Sequence, residues 1–223
     1  MVVETDTEIK ENPLRSDFDH PWKQSLQLYF QDFMEFCLPE IAAEIDWIKG
    51  YESLDKELQA MTRDAKIGDR VVDKLIKVYR KNGKETFVLC HLEIDGNPKG
   101  KIPRRMLTYR YRIQDLRELP LISIAILIDD DPNWRVDYYR EECFGTYLEI
   151  KYIVVKLLDY RARRQELEAM NNRFAIIMLA QLTVLETKHD PNTRFHEKTV
   201  LTRLLYKKGY HKKDIIELFV LID

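Results

Sequence analysis

Two apolar runs around an Asn-Gly pair form the clearest pattern along the chain. The first run, VVDKLIKVYR, covers residues 71–80, and the second, ETFVLCHLEID, covers residues 85–95. Both are rich in β-branched and other apolar residues interleaved with polar ones, which is typical of strands. Asn82 and Gly83 lie between them, and both residue types tolerate positive φ. The pattern therefore predicts a β-hairpin.

The length of the loop decides which residues face each other across this hairpin. A two-residue loop would place Asp73 opposite Leu92 and would mix polar and apolar residues on both faces. A three-residue loop, 82–84, places Asp73 opposite Glu93 and sorts the faces, so we predict that register. One face is then apolar except for Lys74, and the other is polar. The apolar face comprises Val72, Ile76, Val78, Val88, Cys90, Leu92 and Ile94, and the polar face comprises Asp73, Lys77, His91, Glu93 and Asp95.

Three acids of the polar face, Asp73, Glu93 and Asp95, are predicted to converge at one end of the hairpin. Directly opposed residues have Cβ atoms about 5 Å apart, so two such carboxylates repel unless a proton or a cation lies between them. Hard oxygen ligands on a rigid hairpin suit Mg²⁺, which usually takes one or two carboxylates and completes its shell with water and substrate phosphate. A solvated polar sheet face is the alternative, since surface carboxylates are common.

Beyond the hairpin, helical and strand patterns alternate. Apolar and aromatic residues at helical spacing predict a helix that begins near Pro21 and ends before Pro39. A second helix is predicted from Pro103 to Leu116. The nearly continuous apolar run at 121–129 is typical of a strand buried on both faces. Strand, long helix and strand form a crossover, which predicts an α/β fold with a mixed sheet and helices on its faces.

The carboxy-terminal half is predicted to contain more helix. The acids at 129–131 precede a proline and indicate a solvated turn. Edge strands are predicted around 138–150, whereas 152–170 is predicted to turn helical. Asn172 can cap the next helix. The final segment is predicted to form helix, Gly209 turn and helix, which resembles a helix-turn-helix in outline; its basic residues near the bend are Lys207, Lys208, Lys212 and Lys213.

Charge is segregated along the chain although its net value is only −2. Residues 97–117 contain seven basic residues and the single acid Asp115. Such a surplus suits a polyanion, because phosphate neutralisation supplies most of the affinity for nucleic acid. Arg105, Tyr109 and Arg112 share one helix face, so the arginines could hold phosphates with Tyr109 between them, and Lys101 lies just before. The alternatives are a solvated face with Tyr109 in the core, or DNA binding by the basic carboxy-terminal helices alone.

Composition predicts a soluble, cytoplasmic protein. Its 223 residues are long enough for a sizeable core, and no apolar run reaches the ~20 residues of a membrane span. The first residues are acidic where a secretory signal would be basic. Cys37, Cys90 and Cys143 form no CxxC pair, so buried free thiols in a reducing compartment are expected. Nothing in the pattern indicates an organic cofactor or a membrane partner.

The motifs along nearly the whole chain resemble the Rpn, or recombination-promoting nuclease, branch of the PD-(D/E)xK nuclease superfamily, a group of transposase-like proteins. The resemblance is carried by DHPWK (19–23), IDW (45–47), LDKEL (54–58), TRDAKIGDRVVDKLIKV (62–78), HLEIDG (91–96), RRMLTYRYR (104–112), DDDPNW (129–134) and VVKLLDY (154–160).

The resemblance implies a restriction-endonuclease-like core, which we place at 17–160. Residues 1–16 are predicted to form a flexible tail, and 161–223 are predicted to form a helical carboxy-terminal extension. It also implies DNA cleavage linked to mobile elements or recombination. The metal, Mg²⁺ or Mn²⁺, would activate a water molecule for attack on a phosphodiester. In the metal site, Asp73 and Glu93 match the binding acids. The further motif positions that match are Asp19, Lys23 and Glu57.

One position departs from the family pattern. The superfamily has Lys, and this branch usually Gln, where the chain has Asp95. A carboxylate adds negative charge beside the substrate, so Asp95 is either a third metal ligand or the mark of a weakened or inactive site. Lys74, Lys77 and Lys101 are the nearest basic residues that could substitute. The alternative function is therefore a DNA-binding or regulatory protein with the nuclease fold. A homodimer would suit cleavage of two antiparallel strands.

Overall fold

The computed structural model describes residues 22, 24–62, 72–93 and 102–219. Its elements in chain order are α1 (24–28), α2 (Phe30–Cys37), α3 (Pro39–Glu44), a short 3-10 helix (Trp47–Lys49), β1 (Tyr51–Ser53), α4 (Asp55–Thr62), β2 (Val72–Tyr79), β3 (Glu85–Glu93), α5 (Ile102–Leu116), β4 (Leu121–Leu127), β5 (Tyr138–Cys143), β6 (Thr146–Lys151), β7 (Ile153–Lys156), a second 3-10 helix (Leu157–Arg163), α6 (Arg164–Ala169), α7 (Arg173–Glu186), α8 (Pro191–Lys207) and α9 (Lys212–Phe219).

The central sheet is mixed and has the strand order β1-β2-β3-β4-β7. β1, β2 and β3 pair antiparallel, whereas β4 lies parallel to β3 and β7 lies parallel to β4. The parallel step from β3 to β4 requires a crossover, and α5 lies in that connection. The predicted α/β class, with a mixed sheet and a helical crossover, is thus confirmed. The predicted strand 121–129 forms as β4 and ends at Leu127.

The β2–β3 hairpin forms as predicted, but its loop is placed one residue earlier. Lys81, Asn82 and Gly83 form the three-residue loop: the Gly83 N–H donates to the Arg80 carbonyl at 2.8 Å, and the Arg80 N–H donates to the Lys84 carbonyl at 2.7 Å. Gly83 has φ +84°, the left-handed conformation that follows a tight turn in such loops.

This loop changes the predicted register. Asp73 pairs with His91, not with Glu93, so the predicted direct opposition of the two acids is wrong. The shift is two residues, an even number, and strand side chains alternate with a period of two. The predicted division into faces is therefore kept.

Two apolar clusters on opposite sides of the sheet confirm the alternation of even-numbered and odd-numbered residues, but the prediction that the odd-numbered face is polar is wrong for the middle of the hairpin, where helices cover it. Even-numbered residues of the hairpin, including Ile76, Val88 and Cys90, pack in the large first cluster with α1, α2 and α7. Odd-numbered residues Leu75, Phe87 and Leu89 pack in a second cluster with α4 and α5. Positions 73 and 93 belong to the odd-numbered series.

The helix predicted from Pro21 onwards is interrupted before it ends. Residues 24–28 are helical, Tyr29 forms a bend, and α2 continues to Cys37. Its aromatic residues pack as predicted, with the Phe33 and Phe174 rings 4.9 Å apart between centroids.

The segment 152–170 departs most from the prediction of helix. Residues 153–156 form β7 and pair with β4, because the β-branched Ile153-Val154-Val155 run extends the buried sheet; helical turns follow only from Leu157. The edge strands predicted around 138–150 also form, but β5 and β6 pair only with each other in a separate two-stranded sheet.

The carboxy-terminal helices pack in the same apolar cluster as one face of the central sheet. α7 is buried along nearly its whole length, and Asn172 caps it as predicted, accepting a hydrogen bond from the Ala175 N–H at 3.1 Å. Leu201 and Leu205 of α8 and Ile215 of α9 pack in the first cluster. Gly209, with φ +77°, forms the predicted corner between these two helices.

Candidate functional site at the β2–β3 end of the sheet

The candidate acids Asp73 and Glu93 lie at the same end of the sheet on adjacent strands. Asp73 is at the start of β2 and pairs with His91, and Glu93 is two residues further along β3, at its end. Residues in this diagonal relationship are about 7–8 Å apart. Backbone pairing thus brings both positions to one corner of the sheet. Their side chains lie outside the described part of the structure, as do Asp95, Lys101, Asp19 and Lys23.

The other strands bring their ends to this corner as well. Glu93 pairs with Leu127 at the end of β4, and Leu127 pairs with Lys156 at the end of β7. The carboxyl ends of three parallel strands therefore adjoin the amino end of β2. In open α/β sheets, ligands bind beyond the carboxyl ends of the strands, so this edge is the favoured place for a site.

Lys74, a candidate catalytic residue that could substitute for the missing basic residue of the third motif position, is held in the interior. Its side chain is 1% exposed, and its ammonium forms an ion pair with Asp55 and donates to Gln27 Oε1 at 3.2 Å. Asp55 is the first residue of α4, where its negative charge also suits the amino end of a helix. Lys74 belongs to the even-numbered series of β2, so it lies on the opposite face of the sheet from the odd-numbered positions, which include 73. Its contacts indicate that it anchors the start of β2 between α1 and α4.

Lys77, another basic residue considered near the acids, is engaged elsewhere. Its Nζ lies 2.9 Å from Glu52 Oε1 and 3.6 Å from Glu85 Oε1. The hydrogen bond that Lys77 donates to Glu52 raises the pKa of Lys77, and the hydrogen bonds that Glu52 accepts from Tyr79 and Lys77 lower the pKa of Glu52. Lys77 is four residues from Asp73 along the strand, about 13 Å. It therefore does not substitute for the missing basic residue at the sheet end.

A buried ion pair lies at the same sheet end and was not predicted. Lys156 Nζ donates to Asp129 Oδ1 at 2.6 Å and to the Trp134 carbonyl at 3.1 Å. Asp129 was expected in a solvated turn, and that expectation is wrong for this residue. The turn itself forms, because the Asp131 N–H donates to Asp129 Oδ1 and the Asn133 N–H donates to Asp131 Oδ1. The signal available in sequence was a lysine at the end of an apolar run, IVVK.

The α5 residues proposed for phosphate contact divide into core and surface. Tyr109 is 3% exposed and packs in the second cluster with Ile113 and Leu58, so it is not an exposed ring between two arginines. Arg105 and Arg112 are half-buried. Tyr109 lies among the apolar positions of the α5 face that packs on the sheet, and burial of its ring supplies more stability there than exposure would.

Two further features complete the surroundings. Arg104 at the start of α5 donates to the Tyr139 hydroxyl at 2.7 Å, which ties α5 to the β5–β6 hairpin. Glu57, an additional motif position, is half-buried in the first turn of α4.

Within the described ranges, no three His, Cys, Asp or Glu side chains gather closely enough to hold a metal ion. No helix among those residues has the length and apolar character needed to cross a bilayer.

Comparisons with models of known protein families, with curated proteins and with solved structures found no significant match to this chain.

Proposed function

We propose that the protein is a divalent-metal-dependent DNA endonuclease that hydrolyses phosphodiester bonds, with a role linked to mobile elements or recombination. The observation that carries the proposal is the pairing of β2 with β3. It brings the backbone positions of Asp73 and Glu93 to one corner, on the odd-numbered series of a rigid hairpin. Two acids on adjacent strands with this spacing match the metal-binding positions that the PD-(D/E)xK resemblance implies.

The order of elements adds support. Helices precede a three-stranded antiparallel unit, and α5 then crosses over to a parallel strand. This order is compatible with a restriction-endonuclease-like core, in which a mixed sheet presents acids from two central strands. Fold alone does not define function, so the proposal depends on the acids and not on the sheet.

The donor chemistry fits Mg²⁺ or Mn²⁺. Asp73 and Glu93 would hold the ion, with Asp95 as a third oxygen ligand, and hard cations of this kind prefer carboxylate oxygens. When bound, the metal supplies a water of lowered pKa and stabilises charge on the phosphate. The chain's contribution is to hold these carboxylates on paired strands, with the start of β2 anchored by Lys74 and Asp55.

The test is nicking of supercoiled plasmid by the full chain with Mg²⁺ or Mn²⁺. We expect nicking that Asp73→Ala and Glu93→Ala each reduce by at least about a hundredfold, since either substitution removes a metal ligand. Glu118→Ala, an exposed acid outside the site, is the matched control and should retain activity. Absence of nicking with either metal, or nicking unchanged in both site variants, would contradict the proposal.

A second candidate function follows from Asp95. A carboxylate at the third motif position is unfavourable beside a phosphate, so the alternative is a catalytically weakened nuclease fold that binds DNA or regulates a partner. Asp95→Gln and Asp95→Lys distinguish the two. Activity that appears only in these variants favours the alternative, whereas activity already present in the unchanged chain, and lost on substitution, assigns Asp95 to the metal.

A further inference from the structure

The exposed face of α8 has a composition that the fold does not require. The buried face of α8 packs through Leu201 and Leu205. The opposite face exposes two aromatic side chains, Phe195 at 73% and Tyr206 at 59%. These rings are about three helical turns apart on one side of the helix, a distance of about 16 Å. Exposed rings beside cations are suited to stacking on nucleic-acid bases, because every base has a π-face.

Cations are interleaved with the two rings. Between Pro191 and Lys213 there are seven basic residues and one acid, Glu197, in a chain whose net charge is −2. Glu197 lies towards α6, where its carboxylate is 3.9 Å from Arg164. The exposed face of α8 thus carries Arg203 and Lys207 and no acid.

Some of these basic residues are used by the fold, and others are not. Arg194 donates to the Thr187 carbonyl at 3.2 Å, and Lys208 donates to the Met170 carbonyl at 2.6 Å. Four others are exposed and form no ion pair with any residue that the structure describes: Arg203, Lys207, Lys212 and Lys213.

The corner at Gly209 brings two more exposed lysines close in the chain to the basic end of α8. It places the first turn of α9, with Lys212 and Lys213, directly after the last turn of α8. Lysines in the first turn of a helix are unfavourable, because the amino end of the helix dipole is itself positive. Stability of α9 does not explain their presence, whereas an anionic partner would.

We infer that this surface, formed by Phe195, Arg203, Tyr206, Lys207, Lys212 and Lys213, binds single-stranded nucleic acid. Phosphates are neutralised by the four cations, and the two rings stack on unpaired bases. A duplex offers the same phosphates but keeps its bases stacked inside, so the exposed rings favour a single strand. This inference goes beyond the proposed function because it needs neither metal nor hydrolysis.

The experiment is fluorescence anisotropy of the full chain with one labelled oligonucleotide as single-stranded DNA, as RNA and as duplex DNA, in EDTA. We expect both single strands to bind, with a contribution from the two rings that duplex binding lacks. DNA bound well above RNA, or the reverse, would identify the natural strand within the same chemistry. Phe195→Ala/Tyr206→Ala should weaken single-strand binding about tenfold or more, since stacking contributes strongly for each base.

The cations are tested by the salt dependence. Arg203→Gln/Lys207→Gln should reduce the slope of log affinity against log salt by roughly 0.7 for each cation removed, while the aromatic variant keeps the slope of the unchanged chain. The matched controls are Phe144→Ala/Tyr147→Ala, exposed rings of the β5–β6 hairpin, and Lys81→Gln/Lys84→Gln, exposed lysines in and next to the β2–β3 loop. Both should bind as the unchanged chain does.

Several results would overturn the inference. Unchanged single-strand affinity of the aromatic variant, an equal loss of its duplex affinity, or equal losses in the control variants would each exclude this surface as a single-strand site. Binding to anionic phospholipid vesicles without binding to oligonucleotide would assign the surface to a membrane instead. Oligonucleotide binding is measured in EDTA, whereas nicking is measured with Mg²⁺ or Mn²⁺, so failure of the nuclease proposal and failure of this inference are distinguishable.

Discussion

Lys156 and Asp129 form an ion pair inside the protein, with 2.6 Å between Nζ and Oδ1 and side chains that are 0% and 2% exposed. Lys156 ends β7 and Asp129 follows β4, so the pair joins the ends of two parallel strands. The lysine also lies over the Trp134 ring, 5.5 Å from its centroid. Because the partners are 27 residues apart in sequence, only the folded sheet brings them together.

Removing one member of this pair should destabilise the protein strongly. Lys156→Met leaves Asp129 charged, buried and unpaired, which costs about 3–5 kcal/mol of unfolding free energy. Urea denaturation followed by tryptophan fluorescence measures the loss. Lys156→Met/Asp129→Leu should recover much of it, because no charge then remains buried.

The matched control is the exposed pair next to it. Lys188 Nζ lies 3.4 Å from Asp130 Oδ2, and both side chains are more than half exposed. Lys188→Met should change the unfolding free energy by less than about 1 kcal/mol. An equal effect of the two lysine substitutions would show that burial does not control the energetics of this region.

Lys74 should act in folding and not in catalysis. Lys74→Met removes the buried partner of Asp55 and should lower the unfolding free energy by about 3 kcal/mol, somewhat less than a fully buried pair because Asp55 retains some solvent contact. Plasmid nicking for each folded molecule should stay within about tenfold of the unchanged chain, a loss that loosened positioning of Asp73 would account for. Nicking abolished without any change in stability would instead place Lys74 among the catalytic residues.

Asn172 should stabilise α7 through two separate hydrogen bonds. Its Oδ1 accepts from the Ala175 N–H at 3.1 Å, and its Nδ2 donates to the Asp32 carbonyl at 3.0 Å. Asn172→Ala loses both bonds and should cost about 1–2 kcal/mol of unfolding free energy. Asn172→Asp keeps the cap and loses the donor, so its cost should be intermediate. Asn192→Ala, exposed in the first turn of α8, is the control; urea denaturation compares all three.

The three cysteines should differ in reactivity. Cys143 is exposed, so the expectation of a buried thiol is wrong for this residue. Cys90 is buried and Cys37 is half-buried, and desolvation raises the pKa of the Cys37 thiol to about 12 although a hydrogen bond with Tyr160 partly opposes the shift. A thiol-specific reagent at neutral pH should modify Cys143 rapidly and the others only on unfolding, because the thiolate is the reactive form. Cys143→Ser should abolish the fast phase; a fast phase that persists would show that Cys37 or Cys90 is accessible.

The raised pKa of Cys37 also predicts loss of stability in alkali. The folded protein holds the thiol proton more tightly than the unfolded chain, in which the pKa is about 8.5. The stability that depends on the protonated Cys37 thiol is therefore fully present below about pH 8.5 and is lost as the pH rises towards 12. Cys37→Ala should show a shallower alkaline decline in unfolding free energy, measured by urea denaturation across this range. A decline of equal slope in both proteins would contradict the assignment to Cys37.

Features governed by local chemistry were predictable from the sequence. Asn82-Gly83 specified the hairpin, Asn172 specified the start of α7, and Gly209 specified the corner before α9. In each case a residue type with a particular backbone preference or capping group acts on its immediate neighbours. The apolar run of β4 was likewise sufficient to predict a strand buried on both faces.

The sequence was sufficient to predict that the two candidate acids lie on paired strands, but not which residues face each other across that pair. Sequence placed Asp73 and Glu93 on adjacent strands and on one face, because alternation along a strand is fixed. The direct partner of Asp73 depended on which loop residue takes the left-handed conformation, and Gly83 does so as the last of the three loop residues.

Only the tertiary structure decided the features that depend on distant partners. The segment 153–156 became a strand because β4 offered a parallel edge, and Tyr109 became a core residue because α5 packs on β2 and β3. Asp129 was buried because folding brought Lys156, its ion-pair partner, to the end of the neighbouring strand. Local pattern records the preference of a segment, whereas burial and pairing are energies of contact between segments that the chain brings together only on folding.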